Sequence, residues 1–171
     1  MEQRFSRAPF ALAADARRHE VAVAMTGEEN TMTSGIELGA AAGSLVEDDD
    51  AIRQVVQLCL DGEATGDVAK LREAFHADAR MFGSLAGERY DVPISVLMDM
   101  SASSPADTGQ YRSEIISVHQ TSDAAMAIVA EEGYWGTVSF IDYLALSRID
   151  GRWKIVSKLF AHTGGEPPDF D

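Results

Sequence analysis

The stretch VSFIDYLALSRIDGRWKIVSKLF, residues 138–160, decides the fold. Two β-rich runs flank Asp150-Gly151. That dipeptide is a strong hairpin signal, because both central residues of a type I′ turn need φ > 0 and Asp and Gly tolerate it. A two-residue turn there pairs Ile149 with Arg152, Arg148 with Trp153, Leu146 with Ile155, Leu144 with Ser157 and Asp142 with Leu159. Side chains alternate across a strand, so one face is expected to carry Phe140, Leu144, Leu146, Trp153, Ile155 and Leu159. Asp142 is the odd residue on that apolar face. Lys158 falls on the opposite face beside Tyr143, so no Lys158–Asp142 pair is expected. Ile141, Tyr143, Ala145, Val156 and Phe160 share that second face, an apolar patch that suits a second copy of the chain.

The neighbouring turn sharpens the question of Asp142. With Gly136-Thr137 as a two-residue turn, Trp135 faces Val138, Gly133 faces Phe140 and Glu131 faces Asp142. Opposed residues hold their Cβ atoms about 4.5–5.5 Å apart. Two carboxylates that close in an apolar cup cannot both ionise cheaply, and a raised pKa makes a usable general acid or base. The competing reading is structural: the register slips by one residue, or Glu131 leans out at the mouth, and Asp142 accepts hydrogen bonds from backbone or an Arg. Both readings stand on the sequence.

Working outward, Tyr111–Gln120 and Ala124–Trp135 read as strands with a turn at residues 121–123, which makes a four-stranded meander with the hairpin. Before it, Asp48-Asp49-Asp50 suits a helix N-terminus. Ile52, Val55, Val56 and Cys59 then repeat at helical spacing. Asp67 caps a second, shorter helix with Val68, Leu71 and Phe75 on one face. Residues 76–79 break it, and Arg80–Leu85 reads as a short strand followed by a loop between Gly83 and Gly87. Asp91 and Pro93 mark a third helix, with Ile94, Leu97 and Met98 on its apolar face. The expected order is α-α-β-α-β-β-β-β. Helices segregated from a meander give an α+β domain, with the helices packed on one face of an antiparallel sheet. Residues 1–46 read as a disordered or weakly docked arm, with a loose helix over 11–25, residues 47–163 as the domain, and residues 164–171 as a frayed tail.

Composition narrows the function. The chain has 171 residues and a formal net charge of −14, which disfavours nucleic acid and anionic membrane surfaces. No apolar run reaches the ~18 residues that span a bilayer, so a cytoplasmic location is the default. The single cysteine, Cys59, cannot form an internal disulfide and reads as a small buried hydrophobe. The four histidines, His19, His76, His119 and His162, are scattered and show no metal-ligand spacing. His76 follows the second helix, where it serves either the helix dipole or a pocket rim as a proton carrier. His162 ends the last strand, at the mouth or in solvent. Phosphate-loop, dinucleotide, serine-hydrolase and CxxC motifs are absent, so no cofactor is expected.

Four segments, LREAFHADA (71–79), FIDY (140–143), DGRWKI (150–155) and KLFAH (158–162), carry a resemblance to the nuclear-transport-factor-2-like superfamily, the ketosteroid-isomerase or polyketide-cyclase-like cone. Within it the chain looks most like the group named putative lumazine-binding. DGRWKI is common across the superfamily, whereas FHADA and FIDY point to the subgroup. The resemblance implies a curved sheet wrapping helices around a deep apolar pocket, and frequently a dimer through the outer sheet face. It implies no single activity. Phe75, Met81, Met98, Trp135, Phe140, Leu144 and Trp153 are the expected pocket residues, and Asp142, Glu131 and His76 the candidate catalytic ones. Three readings follow: a module binding a small apolar or aromatic ligand, a cofactor-independent lyase or isomerase with a carboxylate base, or a dimeric interaction domain.

Overall fold

The computed structural model describes residues 34–168, with side-chain environments from residue 48. The expectations for the arm up to residue 33, with its helix over 11–25, and for residues 169–171 lie outside the described residues. The elements are α1 (Ser34–Thr65), α2 (Val68–Ala74), β1 (Phe75–Leu85), β2 (Glu88–Pro93), α3 (Ile94–Ser103), β3 (Asp107–Thr121), β4 (Ala124–Tyr134), β5 (Val138–Ile149) and β6 (Arg152–Gly164). They build a six-stranded sheet in the order β2-β1-β6-β5-β4-β3. The expected meander is present, and the domain is α+β. The sheet is mixed, because β1 runs parallel to β6.

Three local expectations are corrected. Helix α1 starts at Ser34 rather than at the Asp48 cluster, so residues 34–46 belong to it. Asp48 sits inside the helix, pairs with the Arg148 guanidinium and accepts from Gln120 Nε2 at 3.0 Å. Strand β1 starts at Phe75, directly after α2, so residues 76–79 are strand rather than a break. Strand β2 occupies what reads as a loop: Ala86 and Gly87 take positive φ and turn the chain so that Glu88–Pro93 pairs with β1. Only Tyr90 and Val92 alternate there among charged residues, too short a pattern to stand out.

Asp67 does cap α2, accepting from Ala69 N at 3.0 Å and Lys70 N at 3.3 Å. Ile52, Val56 and Cys59 of α1, Leu71 of α2 and Ile94 and Leu97 of α3 are buried in one cluster with Val129, Leu144, Leu146, Trp153 and Ile155 of the sheet. The helices thus cover one sheet face, where burial of apolar area supplies the main stabilisation.

The turn at Asp150 (φ 50°) and Gly151 (φ 77°) has the expected left-handed backbone. Near it the expected pairs hold: Ile149 with Arg152, Arg148 with Trp153, Leu146 with Ile155. The ladder then breaks. Ala145 pairs with Ser157, Leu144 with Lys158 and Asp142 with Phe160, so Val156 is an extra residue in β6. A bulge of one residue exchanges the faces of everything beyond it. Lys158 and Phe160 turn inward and are buried, whereas Leu159 turns outward and is 49% exposed. The expected outward Lys158 and Phe160 and inward Leu159 are therefore reversed.

A second irregularity lies between β4 and β5. Tyr134 pairs with Val138, Glu131 with Phe140 and Val129 with Asp142. The turn spans three residues, and Gly133 takes φ 67°. A Cβ on Gly133 would lie 2.3 Å from Gln110 O, so the backbone at this bend needs glycine. Glu131 is diagonal to Asp142 rather than opposite it, on the same buried face.

Candidate functional site

Helix α1 supplies the first group. Its buried stripe Ile52, Val56, Cys59 continues at the same spacing to Glu63, which is 1% exposed. Strands β4, β5 and β6 supply Glu131, Asp142 and Lys158, each no more than 3% exposed. Lys158 Nζ lies 2.6 Å from Glu63 Oε1, 2.6 Å from Asp142 Oδ2 and 3.5 Å from Glu131 Oε1. One ammonium therefore serves three carboxyl groups. The supporting donors are uneven. Tyr111 donates to Glu131 Oε2 at 2.6 Å. Tyr134 donates to Glu63 Oε2 at 3.1 Å and Cys59 Sγ to Glu63 Oε1 at 3.1 Å. Asp142 has its Oδ2 beside the Lys158 ammonium and its carboxyl in hydrogen-bonding contact with Glu131.

Three buried carboxylates beside one ammonium cannot all ionise. Burial pushes Asp142 well above the ordinary aspartate value, Lys158 opposes this, and Glu131 and Glu63 add to it. Glu63 is also raised, by burial first, with Lys158 opposing. For Glu131 the burial penalty is outweighed by the Lys158 charge and by hydrogen bonds involving Asp142, Tyr111 and Lys158, which leaves its carboxyl below the ordinary range. Burial would lower Lys158, but the charges of Asp142, Glu63 and Glu131 hold it well above the ordinary lysine value. Asp142 and Glu63 therefore hold their protons more readily than ordinary carboxyl groups, Glu131 less readily, and Lys158 stays an ammonium among them. Oxygens of Glu63, Glu131 and Asp142 lie within 4.8 Å of one another, close enough to hold a cation; Lys158 Nζ takes that position.

Glu63, Asp142 and Lys158 form the floor of a cup walled by Met81, Leu97, Tyr134, Trp135, Phe140 and Phe160. Its free space is about 40 Å³, enough for a few water-sized groups. Of the expected pocket residues, Met81, Trp135 and Phe140 line the cup. Phe75 and Leu144 are core instead, Met98 packs against the core, and Trp153 lies under the Arg148 guanidinium, 5.0 Å from its ring centre. Of the expected catalytic trio, Asp142 and Glu131 come together. His76 does not join them: it is half-exposed, lines a surface hollow with Ile149, Asp150, Arg152 and Lys154, and accepts from Asp78 N at 3.2 Å. His162 accepts from Ala86 N at 3.4 Å and contacts the Gly164 and Gly165 carbonyls.

Sequence reasoning missed Glu63 and Lys158. Glu63 was legible as the fourth member of the α1 stripe. Lys158 was hidden by the bulge at Val156.

The geometry can be set beside known proteins. The sequence pattern of the putative lumazine-binding family matches residues 47–161. The chain belongs to that family. Its members share the nuclear-transport-factor-2-like fold, and solved structures agree. An NTF2-like protein of unknown function from Shewanella baltica is 24% identical, with a TM-score of 0.64 over 70% of this chain and 97% of the other. One from Methylobacillus flagellatus is 30% identical, with a TM-score of 0.63 over 69% of this chain and 94% of the other. A ketosteroid isomerase-like protein from Erwinia carotovora, 16% identical with a TM-score of 0.56 over 68% and 96% of the two chains, shares the fold. Aldolase FrzH from a Cladobotryum species is 27% identical over 111 residues, 65% of this family member and 88% of the aldolase. Among the described residues no helix is long and apolar enough to cross a membrane.

Proposed function

We propose that this cone domain binds a small, largely apolar carbonyl compound and moves a proton on it, as a cofactor-independent lyase or isomerase of aldol type. The observation that carries the reading is Asp142: buried, lining the cup, beside a fixed ammonium and crowded by two further carboxyl groups. Burial raises the Asp142 pKa, and a carboxyl that holds its proton in an apolar site is able to act as a proton donor. The likeness to an aldolase supports the reaction class.

The chemistry follows from the placement. A carbonyl oxygen at the cup floor meets the Lys158 ammonium and the Asp142 acid. Asp142 gives its proton to that oxygen and, now ionised in an apolar site, takes a proton from the adjacent carbon. The O–H bond forms, the C–H bond breaks, and Asp142 ends protonated. The resulting enol either regains a proton at another carbon or attacks a second carbonyl. Glu131 does not line the cup; it is a positioning residue that acts through Asp142. Lys158, held as an ammonium by three carboxyl groups, donates a hydrogen bond that polarises and orients the carbonyl before proton transfer and is not the amine of a Schiff base.

The test uses benzylacetone in D2O. Proton NMR follows loss of the hydrogens next to the carbonyl, and Asp142→Asn is expected to slow enzyme-dependent exchange about 10²–10⁴-fold. Exchange that survives in Asp142→Asn would overturn the role of Asp142. Borohydride added with the same ketone is expected to leave the protein mass unchanged, and a reduced adduct on Lys158 would replace this mechanism by a covalent one.

A homodimer through the outer sheet face accompanies this reading. Met126, Tyr143 and Leu159 are exposed there, with Tyr143 directly paired to Leu159. Light scattering is expected to give a dimer that Leu159→Lys separates; a monomeric wild type would remove the dimer from the proposal. A cytoplasmic location belongs to the same proposal, and cell fractionation tests it.

A further inference from the structure

Trp135 stands in a backbone conformation that a bulky side chain disfavours. Its φ is 50°, in the left-handed region, where the Cβ of an L-residue crowds the following carbonyl oxygen. Among the described residues the other non-glycine positions with positive φ are Ala86, Ser122 and Asp150, all with small side chains. Two hydrogen bonds hold Trp135 in place: its backbone N donates to Ala106 O at 2.8 Å and its Nε1 to Ser104 O at 2.9 Å. Its ring meets Tyr134 edge-on at 4.7 Å, and the Tyr134 hydroxyl reaches Glu63 on the cup floor at 3.1 Å. Residues kept in sparsely populated conformations concentrate where the conformation has a use. With Tyr90 and Met100, Trp135 lines both the cup and a larger outer hollow of about 450 Å³. It is the wall between a chamber with about 40 Å³ free and one with room for a ring.

We propose that Trp135 is the specificity-determining residue of this site and sizes the cup for a methyl ketone. At about 10–15 Å³ for each water-sized group, the free space takes about three such groups beside Asp142 and Lys158. An acetyl head fits that space: one oxygen, the carbonyl carbon and a methyl. The remainder of the molecule passes Tyr90 and Met100 into the outer hollow. A head one methylene longer meets a wall that does not retreat, because the backbone and the Nε1 of Trp135 are both tied down. The methyl is then the carbon beside the carbonyl that lies within the cup, so it is the carbon that gives its proton to Asp142. The inference rests on the proton-transfer reading and adds the substrate class.

The test compares benzylacetone with phenethyl ethyl ketone, which differs only by one methylene in the head. Calorimetric titration of the wild-type protein is expected to show benzylacetone binding about tenfold tighter, the size of effect that one methylene has in a closed apolar pocket. Trp135→Gly removes the ring, and glycine suits the positive φ and keeps the backbone N–H. There the extra methylene finds room, and the preference is expected to vanish or to turn about fourfold toward the ethyl ketone. Two wild-type readouts stand without the variant. Of the two tryptophan indole N–H signals in the NMR spectrum, that of Trp135 is expected to shift on addition of benzylacetone. In D2O, deuterium is expected to enter the methyl of benzylacetone ahead of its methylene. Equal affinities in the wild type, no binding of benzylacetone at about 10 mM, an unmoved Trp135 signal, methylene exchange ahead of methyl, or an undiminished preference in Trp135→Gly would each overturn the inference. Methyl-ketone preference without any exchange would retain the sizing by Trp135 and refute the proton-transfer reading. Exchange without preference would refute the sizing alone.

Discussion

Replacing Asp142 by Asn should stabilise this protein at neutral pH while silencing its site. Folding takes the Asp142 carboxyl from water to a buried position beside Glu131 and Glu63, and its pKa rises. The folded form therefore keeps a proton that the unfolded chain releases above about pH 4. Stability changes with pH in proportion to the protons bound by the unfolded state minus those bound by the folded state. Here that difference is negative, so Asp142 is neutral in its effect at low pH and costs stability as pH rises. The cost grows by about 1.4 kcal/mol per pH unit until pH passes the folded pKa. The asparagine of the Asp142→Asn variant has the same shape, does not titrate, and can donate to Glu131 through its amide. Urea denaturation of the two proteins side by side, from about pH 4, near the ordinary aspartate value, upward to about pH 8, is therefore expected to diverge, because the folded-state shift is upward. The curves should coincide near the acid end, and the variant should gain on the wild type as pH rises, by at most about 1.4 kcal/mol per pH unit and only until the folded pKa is passed, with unchanged m-values. Parallel curves, or a variant that loses ground as pH rises, would refute the neutral Asp142 on which the proposed chemistry depends.

Other substitutions probe neighbouring parts of the argument. Lys158→Met removes the cation shared by Glu63, Glu131 and Asp142; it should cost about 3–5 kcal/mol at pH 8 and less at pH 5, where the stranded carboxyl groups take up protons. An unchanged midpoint of chemical denaturation at pH 8 would show that the ammonium does not hold the cluster together. Gly133→Ala places a methyl against the Gln110 carbonyl at a positive φ, with an expected loss of about 1–3 kcal/mol. Thermal melting reads it, and wild-type stability would mean that the bend between β4 and β5 tolerates a side chain. Asp67→Ala deletes the cap of α2 and should cost about 1 kcal/mol, measured in urea, with no effect on ketone exchange; a loss of exchange would tie α2 to the site.

Much of the fold was legible in residues 138–160. A left-handed Asp-Gly turn between β-rich runs has few alternatives, and the first pairs beside it follow from the turn alone. The capping aspartate of α2 and the stripe Ile52, Val56, Cys59 were equally local signals. Strand β2 escaped because its charged residues dilute a short alternation, and the start of α1 because a good capping residue is not obliged to cap. Asp142 and Glu131 were found by alternation, though by a pairing that the structure makes diagonal.

The sequence by itself determined the meander, its hairpin turn and the presence of a carboxylate on an apolar face. Local backbone preference and a period of two suffice for that. Tertiary structure decided which groups surround the carboxylate. One unpaired residue, Val156, carries Lys158 from the outer face to the inner one, and Glu63 arrives from a helix far earlier in the chain. A bulge is set by how a whole strand settles against its neighbours and the helices beneath. A period-two pattern loses its phase at that single extra residue.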